Sequence, residues 1–180
     1  MLMIPKMSFK VLLIISVMVL LHSCSDKKAE NLQSILVKKE SQTSGMLIGE
    51  KGFESAKLDY LIAHDYTKAL YIIDKEEAEF NNIIKDIEKV DTDGIKKGKE
   101  VQQAAISYYS VLKELFMFSR KEIEQEKLMR YSKDEKVIRA SQDRMLELGR
   151  EKQQLYQKVF KADEKLFTLK RQFEAENKLK

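Results

Sequence analysis

From Ile138 to Phe173 the chain sets apolar residues at alternating three- and four-residue steps. The series is Ile138, Ser141, Met145, Leu148, Lys152, Leu155, Val159, Ala162, Leu166, Leu169 and Phe173. Nine of these eleven positions are apolar in a chain that is 43% hydrophobic, so the alternation belongs to the segment and not to the composition. Three-four spacing puts every member on one side of an α-helix, whereas strand side chains change face every second residue. The segment is therefore expected to be a single long helix with one buried seam, and a chain built around such a helix is expected to be a bundle. Charged residues fill the opposite side, as a solvated face requires.

Residues 53–90 carry a second seam of the same kind: Ala63, Tyr66, Leu70, Ile73, Glu77, Phe80, Ile84 and Ile87. Ile62, Ala69, Ile83 and Val90 widen it, and the whole stretch reads as one helix. Asp91-Thr92-Asp93-Gly94 interrupts the pattern, and Thr92 or Asp93 is the expected cap of a helix over residues 95–131. Ser132-Lys133-Asp134-Glu135 then matches a capping box, with Ser132 as the cap and a turn near Tyr131. A single helix running through that point is the competing reading. Short turns force neighbouring helices to be antiparallel, so the fold class is all-α, an elongated antiparallel coiled-coil-like bundle of three helices. Residues 25–44 place Leu32, Ile35 and Leu36 at helical spacing and read as a short first helix, a partial fourth member, or a tether. Gly45, Gly49 and Gly52 are expected to make a loop around Met46, Leu47 and Ile48. No sustained period-two run appears, and strands are not expected.

The 33 basic and 29 acidic side chains include Lys6 and Lys10 near the start, leaving 31 against 29 from residue 24 onward. That balance, well mixed along the chain, excludes the basic footprint of a nucleic-acid binder. Lys6 and Lys10 precede an apolar run over residues 11–21 broken only by Ser16. Eleven residues suit the core of a signal peptide and fall short of the roughly 20 that span a bilayer. The run ends on Leu21-His22-Ser23-Cys24, which resembles the lipobox of bacterial lipoproteins, with His22 standing where a small residue is usual. The resemblance implies that Cys24 receives a diacylglyceryl group and that the bond before it is cut. An ordinary cleaved signal peptide and an uncleaved anchor helix are the alternatives. On the lipoprotein reading, residues 1–23 are the signal peptide, 24–52 the anchor, short helix and tether, and 53–180 the bundle. Serine follows Cys24, where aspartate would imply inner-membrane retention, so the expected location is the cell envelope, at the outer membrane. The helical layout is also loosely similar to small cell-wall-binding lipoproteins, an architectural likeness that transfers no residue.

Chemistry has little to work with. If residues 1–23 are removed, His64 is the only histidine left, and Leu61 stands three before it, so the paired Glu-x-x-His motif of di-iron bundles is missing. No Gly-x-Ser-x-Gly elbow and no phosphate-cradling glycine loop occurs. No catalytic residue, metal or cofactor is expected, and the chain reads as a structural or protein-docking module. Two features stand out. Residues 104–118 hold eleven apolar or tyrosine side chains in fifteen, too many for one stripe, and Ile106, Tyr109, Phe116 and Met117 are candidates for a partner patch. The alternative is a central helix covered on several sides. Glu77 and Lys152 interrupt the apolar seams and are candidates for a buried polar pair that sets register, with snorkelling to solvent as the alternative. A rival function, an inhibitor or immunity-type lipoprotein that captures a secreted protein, would use the same patch. A carrier of a small apolar ligand would instead have a cavity near Tyr66, Tyr108 and Phe116.

Overall fold

The computed structural model describes the backbone of residues 9–179 and the side chains of residues 27–179. Six helices follow in order: α1 (Phe9–Ile48), α2 (Phe53–Ile62), α3 (Tyr66–Glu88), α4 (Gly98–Met117), α5 (Ser119–Tyr131) and α6 (Glu135–Glu176). No strand occurs among the described residues. α3 runs antiparallel to α1, α4 with α5 runs back beside α3, and α6 returns along both. The result is an all-α, elongated antiparallel bundle of four packed helical columns. α6, at 42 residues, is about 63 Å long.

The seam read on α6 holds. Ser141, Leu148, Leu155 and Phe173 are buried and the other seven members are half-buried. The turn before it also lies where the sequence placed it, but the cap differs. Asp134, not Ser132, accepts the Lys136 N–H at 2.8 Å, while the Ser132 hydroxyl accepts the Asp134 N–H at 3.1 Å.

The expected single helix over residues 53–90 is two. His64 takes φ +56°, a left-handed conformation that ends α2, and Asp65 restarts the chain by accepting the Lys68 N–H at 3.1 Å. The helix that follows the break, α3, keeps half of the expected seam. Its buried members are Tyr66, Ala69, Ile73, Glu76, Phe80, Ile83 and Ile87, with Ile72 beside them. That is also a three-four alternation: it shares Tyr66, Ile73, Phe80 and Ile87 with the expected seam and puts Ala69, Glu76 and Ile83 in place of Leu70, Glu77 and Ile84.

α4 starts at Gly98, later than expected, and neither Thr92 nor Asp93 caps it. Lys97, at φ +58°, occupies the cap position with no side-chain bond. The corner is held from inside by Gln102, whose amide donates to the carbonyls of Ile87 and Val90, both at 2.8 Å. Those carbonyls belong to the last turn of α3 and the residues after it, where a helix leaves acceptors unfilled. The column then divides at Phe118, which keeps helical angles, so α4 and α5 remain nearly collinear.

α1 reaches Ile48, so the glycine loop is confined to residues 49–52 and Gly45 lies inside the helix. The turn is tight: a Cβ on Gly52 would stand 2.6 Å from the Met46 carbonyl oxygen. Of the three positions read at helical spacing, Leu32 and Leu36 are buried in the main core together with Ala29, and Ile35 packs half-buried against it. There they meet Phe80, Ile83 and Ile87 of α3, Val101, Ala105, Tyr109 and Leu112 of α4, and Phe173 of α6. Polar links border this contact. Lys39 bonds Asp86 at 2.7 Å, Gln42 bonds Glu79 at 3.1 Å, and Lys170 of α6 bonds Glu40 at 3.1 Å. The Lys39 ammonium, by hydrogen bond and then by charge, holds the Asp86 carboxyl below its ordinary value. α1 is thus a full member of the bundle. Leu32→Ala is expected to cost about 2–5 kcal/mol in chemical denaturation. A loss within 0.5 kcal/mol would mean that α1 detaches in solution.

Candidate functional site

Where the expected functional residues fall is decided by α4. It touches α3, α6 and α1, so it is covered on three sides, and helices covered that way are apolar all round. Tyr109 is only 3% exposed, and Ile106, Phe116 and Met117 are half-buried against the core clusters. Of the candidate partner patch, Tyr109 is therefore interior, and the other three are partly covered by packing on the same clusters. Its surplus of apolar residues is the signature of a central helix. Phe116 lies 6.1 Å from Phe80 between ring centres, and the Tyr108 and Tyr109 rings meet edge-on at 5.1 Å. Burial pushes the Tyr109 phenol well above its ordinary value, as expected for a hydroxyl taken out of water.

The polar pair is also resolved differently. Lys152 leaves the α6 seam and bonds Glu122 of α5 at 2.7 Å. Glu77 lies half-buried on α3, and the α4–α5 column stands between α3 and α6. The two do not pair, because a lysine stem that reaches the nearer column has no reason to cross it. The cavity expected near Tyr66, Tyr108 and Phe116 is not one place. Tyr66 packs with Ala69, Ile73 and Ile123, whereas Tyr108 and Phe116 pack on the main cluster.

Among the described residues no group of three His, Cys, Asp or Glu side chains gathers as a metal site needs. His64 is exposed at the α2–α3 joint, where its carbonyl accepts the Tyr131 hydroxyl at 3.3 Å. No helix among the described residues is long and apolar enough to cross a membrane. Leu21, His22, Ser23 and Cys24 lie outside the residues whose side chains are described. No family model matches the chain, and neither a curated protein nor a solved structure matches it.

Two features of the structure escaped the sequence reading. The first is an exposed apolar stripe on α6: Leu146, Tyr156, Phe160 and Phe167, of which Phe160 is 63% and Phe167 59% exposed. Each follows a seam residue by one position, about 100° round the helix. The signal was present as a second spacing of ten, four and seven residues, hidden by the charged residues around it. Next to it a shallow groove of about 120 Å³ opens between α1, α4 and α6, with Tyr108, Leu166 and Phe167 in its wall. The second feature is a buried charge cluster. Lys57 of α2 is 5% exposed and Glu76 of α3 is wholly buried. The Lys57 ammonium binds Glu54 closely and stands 3.6 Å from Glu76 Oε2.

Two outcomes follow. Tyr109→Ala is expected to cost about 3 kcal/mol in thermal or chemical unfolding, as an interior aromatic does. A surface patch residue would lose less than 0.5 kcal/mol. A double-mutant cycle on Lys152 is expected to show coupling of about 0.5–1 kcal/mol with Glu122 and none with Glu77.

Proposed function

We propose that the chain is a lipid-anchored cell-envelope lipoprotein whose helical bundle is non-catalytic and serves as a spacer and docking surface for another protein. The anchor reading rests on the order of the first 24 residues: basic start, apolar run, then Leu21-His22-Ser23-Cys24. One observation ties anchor to fold. Cys24 precedes Ala29, a fully buried core residue, by only five positions. Even fully extended, five residues reach no more than about 18 Å. Lipid on Cys24 would therefore hold one particular end of the bundle at the bilayer. Asp91 and Asp93 lie at that end, since Lys28 bonds the Asp91 carboxylate at 2.5 Å and the Asp93 carbonyl at 3.4 Å. So does Asn177, whose amide donates to the Lys96 carbonyl at 2.8 Å.

Two or three acyl chains, each buried methylene contributing about 0.8 kcal/mol, make a stable anchor where a single short chain does not. A column some 60 Å long then carries its far end well beyond the headgroups. The docking half of the proposal draws on the α6 stripe, since Tyr156, Phe160 and Phe167 are large apolar side chains left in water beside the groove at Tyr108. The serine after Cys24 favours the outer membrane.

Cys24→Ala is expected to abolish incorporation of a labelled fatty acid and to move the protein out of the membrane fraction of cells that express it. Label retained by the alanine variant would refute lipidation at this residue. A photocrosslinker placed at Phe160 or Phe167 on intact cells is expected to trap one discrete protein, and the same probe at exposed Lys133 none. Equal yields from both positions would count against docking through α6.

A further inference from the structure

Helix α2 is the shortest element of the bundle. It has ten residues, and a helix that short does not hold in water by itself. Its ends are the tight turn at residues 49–52 and the joint at 63–65, where His64 sits at φ +56°. No side chain caps its start. Tyr60 and Leu61 pack, half-buried, on the cluster of Tyr66, Ala69 and Ile73, while Leu58 and Ile62 point to solvent. The only fully buried side chain of α2 is Lys57.

What Lys57 meets underneath is unusual. Neither carboxylate oxygen of Glu76 has a hydrogen-bond partner, and no part of the residue reaches water. Its one cation is the Lys57 ammonium at 3.6 Å, which is shared with Glu54 and stands 3.3 Å from the Ser119 hydroxyl of α5. That hydroxyl donates to the Phe116 carbonyl at 2.7 Å and is not available to Glu76. Other polar side chains of α5 and α1 are taken elsewhere. Arg120 of α5 binds Asp74, Lys39 of α1 binds Asp86, and Gln42 of α1 binds Glu79. With both glutamates ionised, one ammonium faces two carboxylates, and the uncompensated charge falls on the site with no water. Burying such a charge is costly, and a proton removes the cost.

We propose that α2 is a proton-gated latch, seated on α3 and α5 while the Glu76 carboxyl is neutral and released more readily as that carboxyl ionises. Burial, opposed by Lys57 and reinforced by Glu54, raises the Glu76 carboxyl to about 7 while α2 is seated. With α2 lifted away, the side chain meets water and returns to its ordinary value of 4.5. A carboxyl raised in the closed state favours closure fully below the lower value and loses that contribution as pH passes the upper one. The ratio of closed to open α2 should then fall roughly 70-fold between pH 5 and pH 8.

Native-state hydrogen exchange of the full chain, with rates normalised to the intrinsic rate at each pH, tests this. Protection of the α2 amides is expected to fall by one to two orders of magnitude from pH 5 to pH 8, while α4 and α6 amides stay level. Glu76→Gln is expected to flatten the α2 profile at the protection seen for the native chain in acid. An equal pH slope in Glu76→Gln, or α2 protection that follows α4 at every pH, would overturn the latch. Should the glutamine variant not fold, carboxyl carbon NMR of the native chain decides. A Glu76 midpoint between 6 and 8 supports the proposal, and one below 5 sinks it.

Discussion

Helix α4 carries more apolar surface than any single neighbour can cover, and the rest of the bundle is arranged around that constraint. α3 and α6 take opposite flanks, and α1 lies across what remains, so that all three contribute with α4 to one core. Two smaller clusters continue the packing along the length. Tyr66, Ala69, Ile73 and Ile123 join α3 to α5, and Leu115, Phe118, Leu148 and Leu155 join the α4–α5 column to α6. Hydrophobic burial of this kind has no direction, which is why the connections and polar contacts must supply the register. Gln102 does so at the α3–α4 corner by filling carbonyls that the end of α3 leaves open.

Most charges stay at the rim of these contacts and stabilise modestly. Lys28 with Asp91, Lys39 with Asp86 and Lys170 with Glu40 each tie α1 to a neighbour with at least one partner in water, where an ion pair contributes at most about 1 kcal/mol. Glu76 departs from the rule. It stands in a position of the α3 seam that an apolar residue would fill at lower cost, and it is accompanied by a lysine from the shortest helix. A buried acid that exchanges a proton near neutrality costs stability, and its place under α2 gives that cost a mechanical consequence.

The two ends of the molecule then have different characters. Cys24, Asp91 and Asn177 belong to one end, where α1 enters the core and the chain finishes. α1 runs 19 residues from Ala29 to Ile48, about 28 Å, before the turn into α2. The latch is therefore remote from the proposed anchor, at the end a membrane-tethered bundle presents outward, and the α6 stripe lies along the side between them.

Much of this was legible in the residues. The α6 seam was complete in the sequence because one long helix keeps a single phase, and every one of its eleven members is buried or half-buried. The all-α class and the turns near residues 91 and 132 needed no coordinates. α3 shows where periodicity runs out. Residues 66–87 satisfy two alternations that share Tyr66, Ile73, Phe80 and Ile87, one passing through Glu77 and one through Glu76, and both are mostly apolar. Only the left-handed His64, which breaks the helix, and Lys57, which arrives from α2, select the second. The interior place of Tyr109 was undecided for a related reason: an apolar helix reads the same whether neighbours or a partner cover it. The sequence by itself determined the all-α class, the buried seam of α6 and the turns near residues 91 and 132. Tertiary structure alone decided which face of α3 and α4 meets which neighbour, because that choice depends on groups far apart in the chain and brought together only by folding.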